Sequence, residues 1–441
     1  MDDRSPSLLD RLKTLRSLWR DIAGGGGRDS VAPDLPDDAA EWLRGQMRAC
    51  LEGRGGEVSA RARAAQLGRA YCSLNDAGRR RFLAILAEDF DTDPTAVDAA
   101  VARIAAATTV AERRTAERAL RVVLEPPRLR LLTQFNALPE GVKFLVDLRA
   151  DLLAAGRDEP ALVVLEADLK ALLASWFDVG FLELRRLTWR SPASVLEKIM
   201  QYEAVHAIAG WQDLKNRLDS DRRLYAFFHP RMPEEPLIFV EVALERGMAA
   251  SIHHLLDETA PVGDAQAADT AIFYSISNAQ KGLAGISFGN FLIKRVVEEL
   301  AAEFPNLRSF VTLSPIPGFR AWLAEHQAEI EALAAADWPQ DAALAETLKA
   351  PLIRLCARYL MEAKRSNGRA LDPVAHFHLS NGARIERINW LADTSPKGLR
   401  DSAGLMVNYL YKLAEIEANH EAYTGQGRVA ASSAVKGAAK G

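Results

Sequence analysis

Ala271-Ile272-Phe273-Tyr274-Ser275-Ile276-Ser277, followed by Gln280, Gly282, Gly285 and Gly289 and then by Phe291-Leu292-Ile293-Lys294-Arg295-Val296-Val297, is the order of residues that decides the fold. The first run is β-branched and aromatic, without glycine or proline, and reads as a strand. The last reads as a helix reaching Phe304. A glycine-rich loop between a strand and a helix N-terminus leaves backbone N–H groups aimed at one spot, where the helix dipole favours an anion. A diphosphate fits there; a plain glycine-rich turn is the competing reading.

Downstream and upstream of this unit the texture differs. Leu237 to Val242 and Ser309 to Leu313 are further strands bounded by Pro, Gly and Asn, and their alternation with helices implies an α/β or α+β domain of catalytic type. Up to about Trp189 the apolar residues recur at helical spacing. Leu8, Leu12, Leu15 and Ile22 form one stripe, Phe144, Leu145, Leu148, Leu152 and Leu153 a second, and Leu162, Leu165, Leu169, Leu172 and Leu173 a third. A helical bundle follows, with breaks at Gly24 to Gly27, at Pro33 and Pro36, and at Glu125-Pro126-Pro127. The expected division is a helical domain over 1–189, a catalytic domain over 190–423, and a disordered tail over 424–441, where Gly, Ala, Ser and Lys show no apolar period.

Composition narrows the function. The 441 residues carry 55 Lys+Arg and 59 Asp+Glu, a net charge of −4, which lacks the basic excess of a nucleic-acid binder. The groups Arg79-Arg80-Arg81 and Arg113-Arg114 have acids nearby and read as solvated helix faces. Cys50, Cys72 and Cys356 lie far apart and suggest neither a disulfide framework nor a zinc cluster. No apolar run is long enough to span a membrane. With acidic residues at Asp2, Asp3, Asp10 and Asp21 and no Ser-Lys-Leu ending, the expectation is a cytoplasmic protein.

Three local patterns bear on chemistry. Gly285-Ile286-Ser287-Phe288-Gly289 matches the Gly-x-Ser-x-Gly of serine hydrolases, but a nucleophile elbow needs a buried strand directly before it. Gln280 to Ala284 is polar and flexible instead, and no triad partners stand out. In Ser309-Phe310-Val311-Thr312-Leu313-Ser314-Pro315-Ile316-Pro317-Gly318-Phe319 a strand delivers Ser314 to a turn stiffened by two prolines, so its hydroxyl is held at a strand end. A turn serine bonding nearby backbone is the alternative. His376 and His378 form an i, i+2 pair without a third metal ligand of comparable placement, and one of them remains a candidate acid/base.

These segments carry a family resemblance. Ser314-Pro315-Ile316-Pro317-Gly318-Phe319, Phe377-His378-Leu379-Ser380-Asn381-Gly382-Ala383, Ile388-Asn389-Trp390-Leu391-Ala392-Asp393 and Gly404-Leu405-Met406-Val407-Asn408-Tyr409-Leu410-Tyr411 are similar to malonyl-CoA decarboxylases. The likeness runs from about residue 65 to 425. It implies an α+β protein, with an N-terminal all-α helical bundle used in assembly and a catalytic domain of acetyltransferase-like (GNAT) fold. A homotetramer is implied too. The resemblance places the catalytic serine on Ser314, the catalytic histidine on His378 and a site tyrosine on Tyr411. It places the CoA-binding loop on Ala284, Gly285, Ile286, Ser287, Phe288, Gly289 and Asn290, with Ser314 and His378 also touching substrate. Animal members carry a glutamate at the position of Ser287, so that carboxylate has no counterpart here.

The implied reaction is loss of CO2 from malonyl-CoA to give acetyl-CoA, in malonate catabolism or in the control of fatty-acid synthesis. No cofactor or metal is expected, because the thioester itself stabilises the carbanion as an enolate. Lys294 and Arg295 are candidates for the 3′-phosphate of CoA, against the plain reading of surface helix positions. Two alternatives stay open: an acyl-CoA-dependent N-acetyltransferase, and a non-enzymatic CoA-binding or assembly protein.

Overall fold

The computed structural model describes residues 15, 17, 19, 20, 22, 31–53, 56–156, 158–286, 291–326 and 338–440. Contacts divide the chain into a unit of residues 1–178 with 280–287 and a unit of residues 179–279 with 288–441.

The first unit is helical. Its helices are α1 (Asp37–Leu51), α2 (Gly56–Ser73), α3 (Asp76–Glu88), α4 (Pro94–Ala106), α5 (Val110–Val123), α6 (Pro127–Asn136), α7 (Gly141–Ala155) and α8 (Pro160–Trp176). Their ends follow local chemistry. Asp93 caps α4, Thr109 and Glu112 form a reciprocal capping box on α5, and α4, α6 and α8 each begin with a proline. The expected stripes are the core: Phe144, Leu145, Leu148 and Leu152 of α7 and Leu162, Leu165, Leu169 and Leu173 of α8 are buried, while Leu153 is exposed. Leu8, Leu12 and the Gly24 to Gly27 break lie outside the described residues. Arg79 departs from the expected solvated face. It is buried, with its Nη1 2.9 Å from Asp151 Oδ2 and its guanidinium over the Tyr71 ring.

The second unit is a mixed sheet: β1 (Glu183–Leu187), β2 (Arg222–His229), β3 (Met232–Glu245), β4 (Thr270–Asn278), β5 (Ser309–Thr312), β6 (Ser314–Pro315), β7 (Arg384–Asn389) and β8 (Met406–Leu410). The order is β1-β2-β3-β4-β5-β8-β6, with β7 on β8. β1 to β4 form an antiparallel meander, and β5 joins β4 in parallel after the crossover helix Phe291–Glu303. This is the expected acetyltransferase-like arrangement; two of the three anticipated strands fall within β3 and β4, and the third is β5, which ends one residue earlier, at Thr312.

Two features of this sheet create the site. In the β3–β4 pair Glu241 lies opposite Ser275 but Val242 opposite Phe273, so Tyr274 is an extra residue that bulges β4. The parallel β4–β5 pairing then stops at Phe273 and Thr312, its last bond running from Leu313 N–H to Phe273 O at 2.9 Å. Beyond it the strands part.

Two expectations are corrected. The helical part ends before residue 189, because Glu183–Leu187 pairs along its full length with β2. The tail is ordered through residue 440: helix Ile416–Gln426 carries the buried Tyr423, Ser432 N–H bonds Ile385 O at 2.8 Å, and helix Ser433–Lys440 buries Val435. The Ala, Gly and Ser side chains that hid this signal are small enough to let the segment lie close against its neighbours. Among the described residues no helix is long and apolar enough to cross a membrane.

Beneath the sheet Arg217 is buried between Asp213 (2.7 Å) and the fully buried Glu241 (3.0 Å). Burial raises the Glu241 carboxyl to about 7, against the lowering pull of Arg217. Removing the cation strands a buried acid, so Arg217→Ala is expected to cost about 3–5 kcal/mol in urea unfolding. Replacing the pair together, with Arg217→Met and Glu241→Leu, is expected to recover part of that loss.

Candidate active site

Ser314 sits where β5 gives way to β6, at the mouth of the β4–β5 parting, with Pro315 and Pro317 fixing the turn after it. His378 lies in the last turn of the helix Pro373–Ser380, and Tyr411 directly follows β8. The structure brings all three together. Ser314 Oγ is 3.1 Å from His378 Nε2, and His378 Nδ1 is 2.8 Å from the Tyr411 hydroxyl.

Ser314 also donates to Thr312 Oγ1 at 2.8 Å, and Thr312 Oγ1 accepts the Tyr409 N–H at 3.2 Å. A serine hydroxyl has one proton, so with that proton on Thr312 the Ser314 oxygen accepts from His378. This assigns the Nε2–H tautomer and leaves Nδ1 to accept from Tyr411. The hydrogen bonds therefore run in one direction, from Tyr411 through His378 and Ser314 to Thr312. The ring of His378 is stacked on Tyr409, with centroids 4.5 Å apart. Burial alone holds His378 far below the usual range, at about 3, and keeps the Tyr411 hydroxyl protonated. Both groups are thus neutral at physiological pH.

Ser314 and His378 open onto a cavity of about 360 Å³ whose other walls include Val240, Phe273, Tyr274 and Phe377. An apolar pocket with a few converging polar groups is the usual form of a small-molecule site.

Asp372 holds the two halves of this site in register. Its Oδ1 accepts the N–H groups of Val374 and Ala375 at 2.9 Å each, capping the helix that carries His378. Its Oδ2 accepts the Gly318 N–H at 3.2 Å and the Tyr359 hydroxyl at 3.3 Å, fixing the turn that follows Ser314. Gly318 has no room for a side chain, since a Cβ would lie 2.2 Å from the Tyr359 oxygen. Sequence reasoning missed Asp372 as a site residue, although Asp-Pro at a helix start is a capping signal.

The expected i, i+2 histidine pair diverges, because both lie on a helix. His376 Nδ1 is 2.9 Å from the Tyr423 hydroxyl, away from His378. Among the described residues no three His, Cys, Asp or Glu side chains converge as a metal site. Of the expected CoA loop, Ala284, Gly285 and Ile286 belong to the helical unit, and Ser287, Phe288, Gly289 and Asn290 lie outside the described residues.

Comparison with known proteins decides the relationship. The model for "Malonyl-CoA decarboxylase C-terminal domain" matches residues 180–441, and that for "Malonyl-CoA decarboxylase N-terminal domain" matches residues 90–177. The chain belongs to the malonyl-CoA decarboxylase family. It is 40% identical over 419 residues to the mitochondrial malonyl-CoA decarboxylase of Anser anser anser, covering 85% of this chain and 83% of that protein. Identity to the Rattus norvegicus enzyme is 42% over 354 residues, 72% of each. Among solved structures, malonyl-CoA decarboxylase from Rhodopseudomonas palustris is 46% identical with a TM-score of 0.86, covering 90% of this chain and 99% of that one. The protein of the same name from Agrobacterium vitis is 44% identical with a TM-score of 0.84, over the same shares.

Several motif residues behind the resemblance prove to be scaffolding for the site. Asn408 is fully buried, donates to Thr312 O at 2.7 Å, and accepts from Asn389 Nδ2 at 2.9 Å and Arg387 Nε at 3.1 Å. It thus ties β7 and β8 to the strand that delivers Ser314.

Two outcomes follow from this geometry. Asp372→Ala is expected to lower kcat with little change in KM, and to cost about 1–3 kcal/mol in denaturation, because it strands buried N–H groups and uncaps the helix. His378 titrates near 6.5 when unfolded and at about 3 when folded, so the unfolded state takes up the proton first as pH falls. Its contribution to stability is complete above pH 6.5 and is lost as the pH drops towards 3. Urea midpoints of the wild type relative to His378→Gln should fall in that window and stay flat above it.

Proposed function

We propose that the protein decarboxylates malonyl-CoA to acetyl-CoA and CO2, as a carbon–carbon lyase. The observation that carries this reading is the one-directional line of hydrogen bonds from Tyr411 through His378 to Ser314 at the wall of an apolar cavity.

Decarboxylation breaks the bond between the α-carbon and the carboxylate carbon. The electron pair passes to the α-carbon and is delocalised onto the thioester oxygen, and CO2 departs neutral. A proton must then reach the α-carbon. The thioester is itself the electron sink, so the proposed reaction uses no cofactor or metal.

The residues supply two things. When substrate binds, Ser314 turns its one hydroxyl proton from Thr312 to the thioester or carboxylate oxygen of the malonyl head, where charge shifts during the reaction. His378 delivers its Nε2 proton to the α-carbon while the Tyr411 hydroxyl proton passes to Nδ1, so the buried imidazole stays neutral. The negative charge of the enolate moves to the Tyr411 oxygen, which a proton from solvent then restores. The apolar walls strip water from the carboxylate, whose negative charge is lost from that end as CO2 forms. The CoA portion is assigned to the loop that starts at Ala284-Gly285-Ile286.

We propose a homotetramer assembled through the helical unit. Support comes from Val101, Val110, Val122 and Leu124 of the α4–α5 hairpin and its end, all exposed in the single chain. Light scattering at the mass of four chains is the expected result. The cytoplasm is the proposed compartment: the three cysteines are buried and form no disulfide among the described residues.

The deciding experiment mixes metal-stripped protein with malonyl-CoA and follows acetyl-CoA and CO2, which should appear in equal amounts. Ser314→Ala and His378→Asn are each expected to lower kcat by about 10²–10⁴-fold while the fold survives by circular dichroism. Consumption of malonyl-CoA only when an acceptor amine is present would move the reading to an acyltransferase.

A further inference from the structure

The helical unit contains a cavity of its own, of about 290 Å³, lined by α7, α8 and the segment Ala284-Gly285. Three charged side chains reach it: Arg149, Glu166 and Lys170. Two are committed to each other. Arg149 is buried, with Glu166 Oε1 at 2.9 Å from its Nε and 2.6 Å from its Nη2. Its Nη1 and Nη2 also donate to the carbonyls of Gly282 (2.6 Å) and Ala284 (2.9 Å). That set engages all three nitrogens of the guanidinium and neutralises the pair.

Lys170 is left over. It makes no ion pair or hydrogen bond among the described residues, and it is only half-buried. Its ammonium lies over Gly285, so near that an added Cβ there would stand 3.4 Å from Nζ. Gly285 has φ +70°, and its N–H donates to no protein group among the described residues. With Arg149 holding the preceding carbonyls of Gly282 and Ala284, the segment offers its unpaired N–H beside a lone cation in a cavity of net charge plus one. A dianionic group with several acceptor oxygens suits that combination.

We infer that this cavity is a phosphate site in which Lys170 and the Gly285 N–H grip a phosphate of the nucleotide part of the CoA thioester. The inference rests on the reading of the protein as acting on malonyl-CoA. It assigns the substrate's phosphate recognition to a residue of the helical unit, Lys170, rather than to the Lys294 and Arg295 considered from sequence.

The test compares malonyl-CoA with malonyl-pantetheine, which has the same reacting head and no nucleotide. Lys170→Ala is expected to raise KM for malonyl-CoA at least about tenfold, the scale of one charge-assisted hydrogen bond, with kcat unchanged. KM for malonyl-pantetheine should not move, and Lys170→Arg should restore malonyl-CoA binding. Assaying 3′-dephospho-malonyl-CoA alongside separates the sources: if it is as insensitive to Lys170→Ala as malonyl-pantetheine, the 3′-phosphate is gripped, and if it is as sensitive as malonyl-CoA, the diphosphate is. An unchanged KM for malonyl-CoA, or an equal rise for malonyl-pantetheine, would overturn the assignment. Calorimetry of acetyl-CoA binding to the full chain keeps this separate from the reaction. A wild type that binds acetyl-CoA without turnover, and loses about tenfold in affinity on Lys170→Ala, refutes the decarboxylase reading and keeps the phosphate site. A wild type that does not bind acetyl-CoA refutes both.

Discussion

The site depends on one carboxylate. Asp372 is almost fully buried, and burial pushes its pKa up, yet it accepts three backbone N–H groups and a tyrosine hydroxyl. Two of those N–H groups start the helix that carries His378. The third belongs to the turn that begins at Ser314, 54 residues earlier in the chain. A buried carboxylate without such donors would be costly, and buried N–H groups without an acceptor would be costly too. Each therefore stabilises the other only when the turn and the helix meet in one geometry. That mutual requirement is what sets Ser314 and His378 at hydrogen-bonding distance, rather than any attraction between the two side chains.

The sheet supplies the space that Asp372 organises. A parallel pair that stayed in register would close the gap between β4 and β5 with ladder hydrogen bonds. The extra residue at Tyr274 turns β4, and the pairing ends at Phe273 and Thr312. The cavity opens there, walled by side chains that would otherwise be core. Burial among these apolar walls has two consequences for chemistry. It lowers the His378 pKa until the imidazole is neutral, and it removes hydration from any carboxylate that enters. Both suit a reaction in which a charged carboxylate becomes neutral CO2 and a neutral donor gives up a proton.

How far this was readable from sequence depended on whether the information was local. The β4–loop–helix order was legible because β-branched runs, glycines and apolar spacing are local signals. β2 and β7 were not, since Arg222, Arg223, Arg384, Glu386 and Arg387 make them look like surface. They are strands because tertiary partners absorb the charge: Arg223 reaches Glu303 at 2.6 Å and lies over Phe304, and Arg387 Nη2 bonds Met248 O and Ala249 O at 3.0 Å. Arg79 was misread for the same reason. Ser314 and His378 are 64 residues apart, and His378 and Tyr411 a further 33, so no spacing rule could join them. Only resemblance did. Asp372 was visible as a helix cap, but its second set of partners depends on the folded turn.

The segment between β4 and the crossover helix shows a different use of buried charge. Residues 280–287 group with the helical unit although they lie between two elements of the sheet unit in sequence. Arg149 explains why. A guanidinium that is 2% exposed needs acceptors close by, and Glu166 alone leaves Nη1 unused. The carbonyls of Gly282 and Ala284 bring every nitrogen into a hydrogen bond. Gly282 can approach only because it lacks a side chain, since a Cβ would lie 1.7 Å from the Val146 carbonyl. The loop is thus fixed by its oxygens, and its carbonyls are committed while the Gly285 N–H is not. At Gly285 a loop held in this sense presents a donor rather than an acceptor, which is the polarity an anionic ligand requires. The buried arginine of the helical unit thus orients the backbone around the Gly285 N–H.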